Sequence, residues 1–285
     1  MVAASVSARE QFDRDGFVVI ENVFDLATLG DFSAAVDIGV NARLSGDSRT
    51  VADKSEYERN FIQCMNLWED NPDIRAFTFH QELAELAASL LGAERLRLWS
   101  DQALYKESGG TPTPQHQDFP LWPIDRPRQI TAWIPFDGST LDGGAMGYSP
   151  GSHKKGIVSF DNDSRNIRPS AHKDDPAFPL IAHTEMAEPV WVQLQPGSVA
   201  FHHSMTLHQA QANSSGHTRR VFTVAYFEDG CKRSTAHNHQ VVDRQETGVG
   251  QTINGPVTPM AWPLPEGQLP DTPLNATPPP RTGYQ

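Results

Sequence analysis

The stretch "AEPVWVQLQPGSVAFHHSMTLHQAQANSSGHTRRVFTVAYFED", residues 187–229, reads as three short strands. The breaks fall at the Pro196-Gly197 turn and at the Asn213-Ser214-Ser215-Gly216 turn. Two earlier segments have the same character. "RLRLWSDQALYKE" (95–107) alternates as a strand or bent pair, and "RQITAWIPFDG" (128–138) is a strand closed by a turn. Many short antiparallel strands with tight turns predict a sandwich or barrel spanning about 95–230.

The first hundred residues differ. "SAREQFDRDGFVVIENVFD" (7–25) predicts a short helix, a turn at Asp15-Gly16 and a strand "FVVI". In "DLATLGDFSAAVDIGVNARL" (25–44), Leu26, Leu29, Phe32, Val36 and Val40 fall at helical spacing, with Asp25 as N-cap. "FTFHQELAELAASLLG" (77–92) is an amphipathic helix closed by Gly92. Residues 44–59 read as loop, 60–76 as partly helical, and 161–188 as a lid or rim with no clear element. Helices before strands make the fold class α+β, with N-terminal flanking helices. Residues 1–250 form one domain. From 251 to 285 runs a tail with nine prolines between Pro256 and Pro280, expected to be extended and without helix or central strand.

Composition narrows the partners. The chain has 285 residues and a formal net charge of −12. That field repels phosphate backbones, and no Lys/Arg cluster invites an anionic membrane. Cys64 and Cys231 are too few for a disulfide scaffold and fit two thiols in a reducing cytoplasm. The N-terminus lacks a secretory pattern, and no run of about 18 apolar residues exists. A cytoplasmic protein acting on a small molecule is the expectation.

The chemistry begins at "TPTPQHQDFPLWP", residues 111–123. On an extended segment, positions i and i+2 share a face, so His116 and Asp118 can grip one ion. Imidazole plus carboxylate suits borderline divalent ions such as Fe(II). The same triplet also fits an ordinary polar turn. His208 supplies a distant third ligand if strands converge. Two histidines and one carboxylate leave three positions open on an octahedral iron, enough for a bidentate co-substrate and O2. Arg219 follows across a turn; a hairpin would return it beside the metal end to pair with a far carboxylate, or it is a surface arginine. Arg220 points the other way.

The ordered set "FDRDGFVVIENVF", "HQD", "TAWIPFD", "GGAMGYSPGSHKKG" and "PGSVAFHHSMTLHQAQANSSGHTRR" resembles the phytanoyl-CoA dioxygenase family over about residues 10–245. The resemblance implies a double-stranded β-helix (jelly-roll, cupin-like) core and an Fe(II)- and 2-oxoglutarate-dependent oxygenase using O2. It implies His116, Asp118 and His208 as metal ligands and Arg219 on the distal carboxylate of 2-oxoglutarate. Thr131 and Trp133 match positions lining the co-substrate pocket, His153 matches a further pocket position, and Gln102 is grouped with them as an inward residue of its strand. Ala210 stands where several members have a co-substrate-contacting serine. Asp118 is retained, whereas halogenating relatives carry a small residue there, so the resemblance implies hydroxylation. The acidic chain speaks against a polyanionic CoA thioester. His202 is expected to pack or support, and His237 and His239 to be exposed. Phe119, Trp122 and Trp262 line a pocket or fill core. The alternatives are a cupin-type metal enzyme without 2-oxoglutarate and a non-catalytic ligand-binding barrel.

Overall fold

The computed structural model describes residues 4–45, 58, 61–159, 172, 178 and 180–273. In chain order the elements are α1 (Val6–Asp15), β1 (Phe17–Ile20), α2 (Leu26–Ser45), β2 (Ile62–Met65), α3 (Pro72–Thr78), α4 (Gln81–Leu91) and β3 (Leu96–Lys106). There follow β4 (Thr113–His116), β5 (Gln129–Pro135), β6 (Met146–Tyr148), β7 (Ile157–Ser159), β8 (Leu180–Ala182), β9 (Val190–Val192), β10 (Val199–His203), β11 (His208–Ala210) and β12 (Arg219–Glu228). A short helix α5 (Gln240–Asp243) and strand β13 (Met260–Trp262) close the described chain.

Seven strands form the major sheet in the order β1-β10-β5-β12-β3-β13, with β2 also on β3; β4-β11-β6-β9 form the minor sheet. This is the double-stranded β-helix core. The period of two along β5 shows how it is built. Ile130, Ala132 and Ile134 face outward beneath the helices, in one cluster with Phe77, Leu83 and Phe222. The alternate Trp133 joins Phe17, Val221, Met146 and Tyr148 in a second cluster between the sheets. Aromatic stacking ties the helical layer down: Phe77 lies 4.2 Å from Phe32 and 4.9 Å from Phe222, centroid to centroid.

The helix ends follow their sequence signals. Asp25 caps α2, accepting from the Thr28 backbone N–H at 2.9 Å. Gly92 closes α4 in the left-handed conformation. Gly16, at φ +83°, ends α1 where any Cβ would lie 2.4 Å from Thr206 Oγ1 and 2.5 Å from His153 Nδ1.

The partly helical reading of 60–76 holds, with α3 starting at Pro72; residues 62–65 form a strand, because Cys64 fits beneath the helical layer against Ala103. Three expectations change. Residues 180–182, read as structureless, pair in parallel with β7; most of the surrounding 161–188 lies outside the described residues. The tail contributes β13, which pairs with β3 at the sheet edge, where prolines are tolerated. So the ordered core continues past residue 250, and the part of the tail beyond 273 lies outside the described residues. Finally, β11 and β12 are not a hairpin: β11 belongs to the minor sheet and β12 to the major one.

Asp101 is the buried polar joint between β3 and the helical layer. Its carboxylate accepts from the Leu67 and Trp68 backbone N–H groups at 2.7 and 2.9 Å and from the Thr78 hydroxyl at 2.8 Å. Burial pushes the carboxyl up to about 7, against those donors. A raised acid adds stability that is complete below its unfolded value and is lost as pH rises through about 7. Asp101→Ala strands three donors in a dry interior and costs on the order of 3 kcal/mol, read as a lower urea midpoint with unchanged slope.

Candidate metal centre and co-substrate pocket

The two sheets bring His116, Asp118 and His208 together. One ligand atom from each lies within 4.8 Å of the others. The minor sheet sets the histidines directly opposite, His208 pairing with His116 in register. Asp118 is not a strand residue. β4 ends at His116, and Asp118 takes helical dihedrals at the head of a 3-10 turn, Phe119–Leu121. The carboxylate still turns inward: Oδ1 lies 3.8 Å from His116 Nε2 and 3.7 Å from His208 Nε2.

Each group is oriented by a neighbour. His116 Nδ1 lies 2.9 Å from the Pro114 carbonyl and His208 Nδ1 2.8 Å from the Thr206 carbonyl. A carbonyl only accepts, so both Nδ1 atoms carry the proton and both Nε2 lone pairs face the centre. The Asp118 Oδ2 accepts from Thr131 Oγ1 and from His202 Nε2, each at 3.3 Å. His202 Nδ1 in turn lies 3.4 Å from the Tyr148 hydroxyl. Burial alone would raise the Asp118 carboxyl, but His208, His202 and His116 hold it well below the carboxylate range. Burial and then His116 and His202 push His208 well down. The Nε2 atoms of His116 and His208 and the Asp118 carboxylate therefore converge on one centre, a donor set that suits Fe(II).

At the other end, Arg219 and Lys106 sit opposite each other on β12 and β3. Arg219 Nη1 donates to the Gly144 carbonyl at 2.7 Å, and its guanidinium lies 5.5 Å from the Trp133 ring centroid. Lys106 is fully buried; its ammonium donates to Gln211 O at 2.9 Å and Thr113 Oγ1 at 3.2 Å, a carbonyl and a hydroxyl. Burial, then the Arg219 charge, pushes Lys106 down to about 7. Two buried cationic groups side by side are suited to pair with an anion. Lys106 was missed from sequence; its signal was the parity it shares with Gln102 and Leu104 on the inward face of β3.

The remaining predicted residues divide. Thr131 and Trp133 are successive inward positions of β5, one touching Asp118 and the other facing Arg219. Gln102 faces inward in a row with Met65, Thr223 and Trp133, and its Oε1 accepts from Gln63 at 2.7 Å. His153 is not brought to the triad. The "PGSHK" turn packs on the end of α1, placing His153 Nε2 3.1 Å from the Asp13 carbonyl and its ring 5.5 Å from His203, on the outward parity of β10. His239 is buried, not exposed, 4.9 Å from Trp99. Trp122 stacks on Trp99 at 5.1 Å, while Trp262 packs with the helical layer.

The chain is similar to known proteins over most of its length. The phytanoyl-CoA dioxygenase family (PhyH) matches residues 12–221. A phytanoyl-CoA dioxygenase of Arabidopsis thaliana is 30% identical over 172 residues, covering 58% of this chain and 56% of that protein. Among solved structures, the non-haem α-ketoglutarate-dependent carbocyclase SnoK superposes with a TM-score of 0.70 at 25% identity, covering 90% of this chain and 96% of its own. The epimerase SnoN, in complex with Fe3+, α-ketoglutarate and nogalamycin RO, has a TM-score of 0.70 at 21% identity and covers 90% and 97%. The chain belongs to the phytanoyl-CoA dioxygenase family and is an iron- and 2-oxoglutarate-dependent dioxygenase that uses O2. No described helix is long and apolar enough to cross a membrane.

Proposed function

We propose that the protein hydroxylates an aliphatic C–H of a small organic molecule, with His116, Asp118 and His208 as the iron ligands. The observation that carries this reading is the spacing along β5. Thr131 touches the triad carboxylate and Trp133 faces the guanidinium. Successive same-face positions on a strand are about 6.8 Å apart, a span that suits a five-carbon dicarboxylate. Its keto-acid end would meet the metal and its far carboxylate Arg219 and Lys106.

Iron with 2-oxoglutarate supplies the oxidation: one O2 is consumed, one oxygen atom enters succinate as CO2 leaves, and the other enters the substrate C–H. The protein's own residues do the positioning. Asp118 stays ionised, and His202 and Thr131 hold it. Arg219 and Lys106 neutralise the far carboxylate. Trp133 walls the channel between them and excludes water, which strengthens each charge pair. Arg220 takes no part, being bound outside the barrel to Asp37 and Asp137.

The purified chain with Fe(II), 2-oxoglutarate and O2, and no other substrate, is expected to form succinate slowly. Equal formation with Zn(II) replacing Fe(II) would overturn the reading. A cupin-type enzyme without 2-oxoglutarate, or a non-catalytic barrel, would form none.

A further inference from the structure

Beside the triad, along β2 and β3, lies a group of buried polar atoms without a hydrogen-bond partner among the described residues. Two register rows place them. Ser100, Ala225 and Thr131 lie in one row, and Met65, Gln102, Thr223 and Trp133 in the next. Neighbouring strands are about 4.8 Å apart, so Ser100 stands roughly 10 Å from the threonine that touches Asp118. The register of β3 against β12 slips between Ala225 and Tyr226, leaving Trp99 as the extra residue of a bulge. A bulge turns such a residue to the same side as its neighbour. Trp99 accordingly packs inward on Trp122 and His239.

The cover comes from the chain beyond the region that matches the family, residues 12–221. Two arginines set its shape. Arg233 donates to the carbonyls of Thr235, His237 and Thr247. Arg244 makes a two-pronged ion pair with Glu69 at 2.9 and 2.7 Å, with both side chains almost wholly buried. The segment from His239 to Arg244 is thus a fixed roof. It sets Gln240 on Met65, Nε2 to Sδ at 2.9 Å.

Among the described residues, Gln63 Oε1, Gln240 Oε1, Trp99 Nε1 and Ser100 Oγ are buried without a hydrogen-bond partner. Folded proteins leave few such atoms, since each costs free energy. Here four share one locality. Gln63 has its amide nitrogen committed to Gln102, and Gln240 its own to Met65, so both present an acceptor oxygen. The indole offers a donor and Ser100 either role. Burial keeps His239 uncharged, pushed down to about 3. Gln63, Gln240, Trp99 and Ser100 carry no formal charge, and the roof's own charges, Asp243 and Arg244, are ion-paired to Arg233 and Glu69.

We propose that these residues form the primary-substrate pocket, and that it takes an uncharged, flat molecule edged with hydroxyl or amide groups. The indole pair supplies a flat apolar face; the glutamine carbonyls take ligand O–H or N–H groups; the Trp99 N–H and Ser100 hydroxyl meet ligand oxygens. Charged ligands such as acyl-CoA thioesters or small phosphonates meet no counter-charge on these walls. The inference rests on the reading that the site oxidises a small molecule, but its test does not need turnover.

The experiment is calorimetry on metal-free full-length protein at pH 6.5 with three probes: daidzein as the flat hydroxylated molecule, decanoyl-CoA and methylphosphonate. Daidzein is expected to bind at least about tenfold more tightly than either anion. Trp99→Phe and Gln240→Met are each expected to weaken it about tenfold, with wild-type circular dichroism and melting showing that the fold is kept. Failure of daidzein to bind, tighter binding of either anion, or unchanged affinity in both variants would overturn the proposal. Succinate formation without daidzein binding sinks this pocket alone; daidzein binding without succinate formation sinks the catalytic reading alone.

Discussion

Asp118→Ala is expected to lower succinate formation by more than about 100-fold while leaving the fold intact. Loss of a group that merely orients a metal ligand costs about 10–100-fold, and Asp118 is itself the carboxylate of the set. Its removal leaves the Nε2 atoms of His116 and His208 facing a centre without the anion that lies 3.8 and 3.7 Å from them. His202→Phe gives the graded control. It keeps the three ligand atoms and removes the 3.3 Å bond to Asp118 Oδ2 together with the 3.4 Å contact to the Tyr148 hydroxyl, so a loss of about 10–100-fold is expected. Steady-state succinate assays on both variants distinguish the roles. Near-equal rates for Asp118→Ala and wild type would show that the carboxylate does not hold the iron.

The second large effect belongs to the cationic end. Removing one partner of a buried, hydrogen-bonded charge pair costs about 2–5 kcal/mol, so Arg219→Met should raise the 2-oxoglutarate dissociation constant roughly 30-fold or more. Lys106 adds a pH signature. Before co-substrate binds, its ammonium titrates near 7, lowered by burial and by Arg219. An arriving carboxylate favours the charged form and raises that value. Below pH 7 the proton is already in place; above it, binding must take one up. Affinity for 2-oxoglutarate should therefore fall as pH rises from 7 to 9, by up to about tenfold per unit. Lys106→Met should bind more weakly at pH 6.5 and lose this dependence. A wild-type affinity that is flat over the same range would contradict the assignment.

The sequence carried the fold class and the residues that the fold brings together, but not the connections between the sheets. His116, Asp118 and His208 were suggested by their residue types and singled out by the ordered family motifs; Thr131 and Trp133 came from the same resemblance, with strand alternation placing them on one face. The expected hairpin between His208 and Arg219 was wrong in its topology, since β11 and β12 lie in different sheets. Local turn signals look alike whether a chain folds back on the same sheet or crosses to the other. Asp118 reaches the centre from a 3-10 turn, and not by the period of two that suggested it. His153 went astray because "PGSHK" specifies a turn but not what the turn packs against. Lys106 was passed over and His239 was expected to be exposed because burial of a charged or polar side chain is a tertiary outcome, fixed by β12 and by the segment after it.

The most direct test is an anaerobic titration followed by visible absorption. Wild-type protein should bind one Fe(II) and, as 2-oxoglutarate is added, develop a charge-transfer band that saturates at one 2-oxoglutarate per iron. Asp118→Ala should develop no band, and Arg219→Met should reach it only at much higher 2-oxoglutarate. A wild-type protein that takes up no iron, or an Asp118→Ala protein whose band matches wild type, would contradict the account.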